Sequence, residues 1–204
     1  MRPPRMRVAL FGRSLAGFTL ANAMERAGHE VQMLSDPAEL ASFEALIIAV
    51  GDTRLEATVE LLEPHVHRGP IVFHTCLSRG VQVLDPLETR GCVVAALAPF
   101  APMRWAVTTL DELGETVVEL NIAEFRAETV ALSDAERAPF AARAYYAEML
   151  RRLHISAAVD AHFLSPSEEP PLAGEDMDTE EIIAAYRGAT DPGLRRSYVE
   201  VARR

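Results

Sequence analysis

Apolar runs of strand length alternate along this chain with apolar positions at helical spacing. Arg7-Val8-Ala9-Leu10-Phe11 predicts a first strand, which stops at Gly12. Leu15, Phe18, Leu20, Ala23, Met24 and Ala27 then recur at helical spacing, and Gly28 stands where a helix C-cap belongs. Glu30–Leu34 predicts a second strand. Asp36-Pro37 predicts a short helical turn, with Asp36 as N-cap and Pro37 at the first helical position. Ala45–Val50 is a continuous apolar run, the mark of a strand buried on both faces of a parallel sheet. Gly51-Asp52 turns the chain, and Leu55, Val59, Leu62 and Val66 mark a helix. A strand over 70–75, a helix over 81–89 closed by Gly91 and a strand over 92–97 follow. This alternation, with short connections, predicts an α/β fold with a doubly wound, mainly parallel sheet.

Past residue 98 the pattern changes. Pro99-Phe100-Ala101-Pro102 breaks the regularity. Thr116–Leu120 and Thr129–Leu132 read as two further strands. From Ser133-Asp134 a helical stretch runs to about Phe163, with Ser133 and Glu136 in a capping-box arrangement. The expected organisation is a nucleotide-binding domain over 1–132, a long helix over 133–164 and an acidic, proline-rich linker over 165–178. A reduced C-terminal helical part follows over 179–204, its two short helices flanking Asp191-Pro192.

The turn after the first strand carries the candidate chemistry. Gly12 permits a tight turn and Gly17 permits close helix–strand packing, as in the loop that holds a dinucleotide pyrophosphate. Ser14 stands where the middle glycine of that loop belongs. Its hydroxyl either obstructs a phosphate or donates to it, and Arg13 adds positive charge. Leu15 opens the helix. Ser35 sits at the acid position after the second strand and Asp36 one residue later; an acid there favours NAD over NADP. Val50, Gly51 and Thr75, at the ends of two other strands, complete the expected cofactor-binding set. His74 at a strand end is a candidate acid/base or substrate ligand, against the alternative of a buried strand-end histidine. Arg104, beside Trp105, is a candidate for binding a carboxylate or phosphate, whereas Trp105 reads equally as a dimer contact or lid anchor. Cys76 and Cys92 read as packing residues, His65 and His67 as solvated surface, and Tyr145-Tyr146 as helix packing. No metal site is expected.

Composition narrows the possibilities. The net charge of −10 disfavours a broad nucleic-acid surface. All 20 basic residues are arginine, which removes a lysine Schiff base, a P-loop lysine or a lysine general acid. Two cysteines without zinc spacing, no apolar run of membrane-spanning length and no signal-peptide pattern lead us to expect a reduced, cytoplasmic protein.

The segment RVALFGRSLAGFTLANAMERAGHEV resembles the first strand, turn, helix and second strand of the 6-phosphogluconate dehydrogenase-like superfamily. That group includes the F420-dependent NADP reductases and the pyrroline-5-carboxylate reductases. ALIIAVGDTRLEATVELL is similar to the family's third-strand segment, with Gly51 where proline is usual. IVFHTCLSRGVQVLDPLETRG and VVAALAPFAPMRWAVTTLDELGETVVEL are similar to short actinobacterial members described as dehydrogenases. Many of these carry His-Pro where this chain has Ala98-Pro99. The resemblance implies a Rossmann-like fold, an NAD(P)-dependent oxidoreductase acting on a small molecule, and a homodimer whose partner completes the site through the long helix. Ser14 in the loop, Ala98, the missing lysine and the reduced helical part imply the alternative: a nucleotide-binding or regulatory protein that has lost the chemistry.

Overall fold

The computed structural model describes residues 5–160 and 179–202. The chain divides into two compact units, Met1–Arg137 and Ala138–Arg204, with the division falling inside a helix. The linker expected over 165–178 and the end of the long helix at 161–164 lie outside the described residues.

The first unit is built on one seven-stranded sheet. Its strands are β1 (Arg7–Gly12), β2 (Glu30–Met33), β3 (Ala45–Ala49), β4 (Ile71–His74), β5 (Val93–Ala101), β6 (Arg104–Thr109) and β7 (Glu128–Ala131). Their spatial order is β2-β1-β3-β4-β5-β6-β7; β1 to β5 are parallel, and β6 and β7 run the other way. The α/β, Rossmann-like fold expected from the alternation is the fold observed. Successive strand residues face opposite sides. Ala9, Leu46, Ile48, Val72, Val94 and Ala96 pack in one core layer, with residues of α2 (Leu55–Leu62) and α3 (Asp85–Thr89). Val8, Leu10, Ile47, Phe73, Ala95 and Leu97 pack in the other, with residues of α1 (Leu15–Ala27) and α4 (Glu112–Phe125). Covering both faces requires apolar residues at every position, which explains the unbroken run of β3. Gly28 closes α1 at φ 103°, its N–H reaching the carbonyls of Met24 and Glu25.

Two expectations fail beyond residue 98. Thr116–Leu120 is helical, inside α4. Asp111 caps that helix by accepting from Gly114 N–H at 2.7 Å, and the buried positions Gly114, Val118, Asn121, Ile122 and Phe125 follow helical spacing. A short β-branched stretch cannot reveal that period; the cap and the wider window do. The proline-rich segment after Leu97 does not end the strand. β5 continues to Ala101, turns through Pro102-Met103 and returns antiparallel as β6. Pro99 and Pro102 are tolerated because one lies beside the register shift between Pro99 and Ala101 and the other in the turn itself. Met103 takes φ 56° in that turn.

The second unit holds most of α5 (Asp134–Asp160) together with α6 (Thr179–Gly188) and α7 (Pro192–Ala202). Tyr198 is its buried centre. Its ring lies 6.1 Å from Tyr146 and 5.8 Å from Tyr186, and its hydroxyl donates to the Ile182 carbonyl. Burial pushes the Tyr198 phenol up to about 12. The Tyr145 hydroxyl bonds Glu181 at 2.8 Å, tying α5 to α6. Among the described residues, no helix is long and apolar enough to cross a membrane.

Candidate functional site

The strand order reverses between β1 and β3, which makes the C-terminal ends of β1, β3 and β4 a topological switch point, the place where a crevice in an open α/β sheet holds ligands. Gly12 ends β1 at φ 101°, and a Cβ there would overlap the Ala49 carbonyl of β3. A Cβ on Gly17 would overlap the Ala49 side chain. Both glycines thus exist because α1 starts against β3. Ser14 donates its N–H to the Ala49 carbonyl at 2.9 Å and accepts from Gly17 N–H at 3.1 Å, so its hydroxyl is the N-cap of α1. The same oxygen lies 3.5 Å from the Thr75 hydroxyl, which links the β1 and β4 ends. The N–H groups of Leu15 and Ala16, the other donors of this first turn, have no intrahelical carbonyl to meet. No acidic side chain occupies that turn, and Arg13 is exposed beside it.

Ser35 and Asp36 follow β2 and are exposed; Asp36 accepts from Ala38 N–H at 2.9 Å and caps the next turn. Val50 and Gly51 are buried at the end of β3, and Asp52 beside them is only 7 % exposed. The Ser78 hydroxyl donates to an Asp52 carboxylate oxygen. Cys76 is fully buried and its thiol reaches the Val50 carbonyl at 3.2 Å. Cys92 is buried as well, and burial pushes its thiol up to about 11. His65 and His67 are exposed.

His74 is buried rather than exposed at these strand ends. It is the last residue of β4, paired between Ile48 and Ala96, so alternation turns its side chain to the layer that holds Val72. It is fully buried, and its Nε2 bonds the Gly80 carbonyl at 3.0 Å. A carbonyl only accepts, so Nε2 carries the proton; Nδ1 is buried with no hydrogen-bond partner among the described residues. Burial first, then the positive charge of Arg137, lowers its pKa from 6.5 to about 3. At neutral pH His74 is an uncharged tie across the loop Thr75–Gly80.

The helix that follows β7 closes the same loop from the other side. Asp134 accepts from Val81 N–H at 2.8 Å and from Gln82 N–H at 3.0 Å. Its carboxylate lies where a Cβ on Gly80 would be. Arg137, one turn on, is fully buried and donates to the Cys76 carbonyl at 2.9 Å and to the Thr108 hydroxyl at 3.1 Å. Burial lowers its pKa to about 10, opposed by the negative charges of Asp134 and Asp52. It therefore stays charged. The sequence reading missed Asp52, Asp134 and Arg137. The capping box at Ser133, where Ser133 N–H and hydroxyl both donate to Glu136, marked the helix start. Nothing local in the sequence marks Arg137, one of 20 arginines, as one that becomes buried.

Arg104 stands elsewhere. Thr108 of β6 is level with His74 through Ala96, and Arg104 is four residues along β6, about 13 Å at the strand rise. The β5–β6 hairpin extends past the end of β4 and carries Arg104 over the Phe100 ring at 5.2 Å, with Glu128 at 3.6 Å. Trp105 is a correction. It is 4 % exposed and packs in the core against Phe125, 5.9 Å between ring centroids, so it is neither an exposed contact nor a lid anchor.

A family profile described as a Rossmann-like domain matches residues 33–99. No curated protein matches the sequence. Solved structures do. A Plasmodium falciparum pyrroline carboxylate reductase with NADP bound aligns over 97 % of this chain and 96 % of its own, at TM-score 0.64 and 11 % identity. A Mycobacterium tuberculosis 3-hydroxyisobutyrate dehydrogenase aligns over 98 % and 94 %, at TM-score 0.66 and 10 % identity. A prephenate dehydrogenase from A. aeolicus, in complex with hydroxyphenyl propionate and NAD+, aligns over 98 % and 84 %, at TM-score 0.57 and 14 % identity. At these identities the likeness establishes the fold: this is a Rossmann-like α/β protein whose structural neighbours include dehydrogenases and reductases.

Proposed function

We propose that the first unit binds a nicotinamide dinucleotide across the C-terminal ends of β1, β3 and β4, and that the protein is an NAD(P)-dependent oxidoreductase acting on a small molecule. The observation that carries this reading is the Gly12–Gly17 turn. It packs α1 against Ala49 so closely that the first-turn N–H groups of Leu15 and Ala16 stand at the crevice with Arg13 beside them. Such a donor set fits a pyrophosphate. When bound, the dinucleotide would supply hydride transfer.

The other residues then take these roles. Ser14 holds the helix start and orients its free donors. Asp36, with Ser35, meets the adenosine ribose and opposes a 2′-phosphate, which favours NAD over NADP. Val50, Gly51 and Thr75 form the facing wall. Arg104 on the hairpin receives a carboxylate or phosphate of the substrate. His74 is a positioning residue for the loop Thr75–Gly80, together with Asp134 and Arg137. Membership of the 6-phosphogluconate dehydrogenase-like superfamily, a cytoplasmic location and a homodimer through α5 belong to the same proposal.

A second reading, a nucleotide-binding protein without chemistry, draws on one observation: His74 is buried, neutral and tied to Gly80. Calorimetric titration of the protein with NADH and with NADPH tests the common part. Binding of either is expected, with Ser14→Asp weakening it by about tenfold or more, because aspartate keeps the N-cap but repels a pyrophosphate. No heat from either cofactor at millimolar concentration overturns both readings. Turnover of a carbonyl or imine substrate by the cofactor-bound protein separates the first reading from the second.

A further inference from the structure

A cavity of about 450 Å³ lies away from the crevice, between α4 and the strands β6 and β7. Its floor is apolar: Val107, Val118 and Ile122 are each nearly buried, and Leu132 closes one end. Its rim on α4 is formed by Glu115 and Glu119, one helical turn apart on the same side, both exposed. The volume falls within the roughly 300–1,000 Å³ of small-molecule pockets.

Charge and hydrogen bonding select the occupant. α4 carries Glu112, Glu115, Glu119 and Glu124 and no basic residue, so no cation of its own helix neutralises the rim. The Thr108 hydroxyl at the floor is already committed. It donates to the Leu132 carbonyl at 2.7 Å and accepts from Arg137. Ser133, whose hydroxyl donates to Glu136, and the neutral hydroxyls of Thr109 and Thr129 also line the cavity. Among the described residues Glu115 and Glu119 are the only charged groups in the lining, so discrimination by charge falls to the two carboxylates, while Val107, Val118 and Ile122 offer hydrocarbon contact. We propose that this cavity is a binding site for a small organic cation with an apolar body, the body on Val107, Val118 and Ile122 and the ammonium between Glu115 and Glu119. An anion of the same shape is repelled at the rim, and a small inorganic cation leaves the floor unfilled. The proposal does not depend on dinucleotide binding at the crevice.

Tryptamine, protonated at pH 7.5, and indole-3-propionate, its anionic counterpart, are the probes. Each is titrated into the full chain and followed by calorimetry and by amide NMR shifts. Tryptamine is expected to bind at least about tenfold more tightly, two rim carboxylates being worth roughly that discrimination. The shifts are expected at Val107, Val118, Ile122 and Leu132. The double variant Glu115→Gln/Glu119→Gln is expected to bring the two probes within about twofold of one another. Ala123→Trp, at an exposed rim position, fills the mouth without disturbing the floor and is expected to abolish binding. Equal affinity for the two probes, shifts confined to other residues, no tryptamine binding at millimolar concentration, or binding unchanged in Ala123→Trp each overturns the proposal. Unchanged circular dichroism and thermal midpoint of both variants ensure that a lost signal reports the site.

Discussion

Replacing His74 by glutamine tests the account of the β4 end. The glutamine Nε2 donor stands close to where the imidazole Nε2 stood, so the bond to the Gly80 carbonyl is kept and the titrating group is removed. In the wild type the folded pKa is about 3 and the unfolded value 6.5. A depressed folded pKa in a basic group means that the unfolded chain binds the extra proton first. Below pH 6.5 the unfolded state is therefore favoured as pH falls, and the contribution is fully present only above 6.5. The slope is about 1.4 kcal/mol per pH unit between 6.5 and 3. Between pH 6.5 and pH 5 the wild type should thus lose about 2 kcal/mol that the variant does not lose. Every other titrating group is common to both chains and cancels. At pH 7.5 the variant is expected to be the less stable by about 1–2 kcal/mol, the cost of packing a different shape in a full core. Urea denaturation of both proteins at pH 7.5, 6.5, 5.5 and 5 measures the gap. It should close, and then reverse, as pH falls. A gap constant to within about 0.5 kcal/mol would refute the reasoning, because it would mean that His74 titrates as a solvated imidazole.

Two more outcomes follow from the loop and the hairpin. Gly80→Ala forces a methyl group into the Asp134 carboxylate, so the bonds to Val81 and Gln82 are lost; a destabilisation of about 2–3 kcal/mol is expected in chemical denaturation, and none would remove Asp134 from the loop. Met103→Gly relieves the φ of 56° in the hairpin turn and is expected to raise stability by up to about 1 kcal/mol, read as a higher thermal midpoint; a lower midpoint would mean that the Met103 side chain contributes more by its contacts than its backbone costs.

What the sequence determined by itself is the part encoded at short range. β1, α1 and β3 are legible because both sheet faces are buried, so each apolar run and each helical stripe has to appear in the order it is used. The Gly12–Gly17 turn is legible for the same reason: close contact with Ala49 leaves no room for other residues. The caps at Asp36 and Ser133 are local bonds and are read from neighbouring residues. Beyond residue 98 the hairpin and α4 were lost because a few β-branched or proline positions carry no clear period. Only the tertiary structure decided which polar groups are buried. His74 lies under the loop rather than in the crevice because of its register against Ile48 and Ala96. Arg137 meets Cys76 and Thr108 from 61 and 29 residues away, and Asp134 meets Val81 across 53. The His74–Gly80 bond spans only six residues, but the burial that sets the charge state of His74, and the partners of Arg137 and Asp134, come from residues distant in sequence that the fold brings together, so no short window along the chain reveals them.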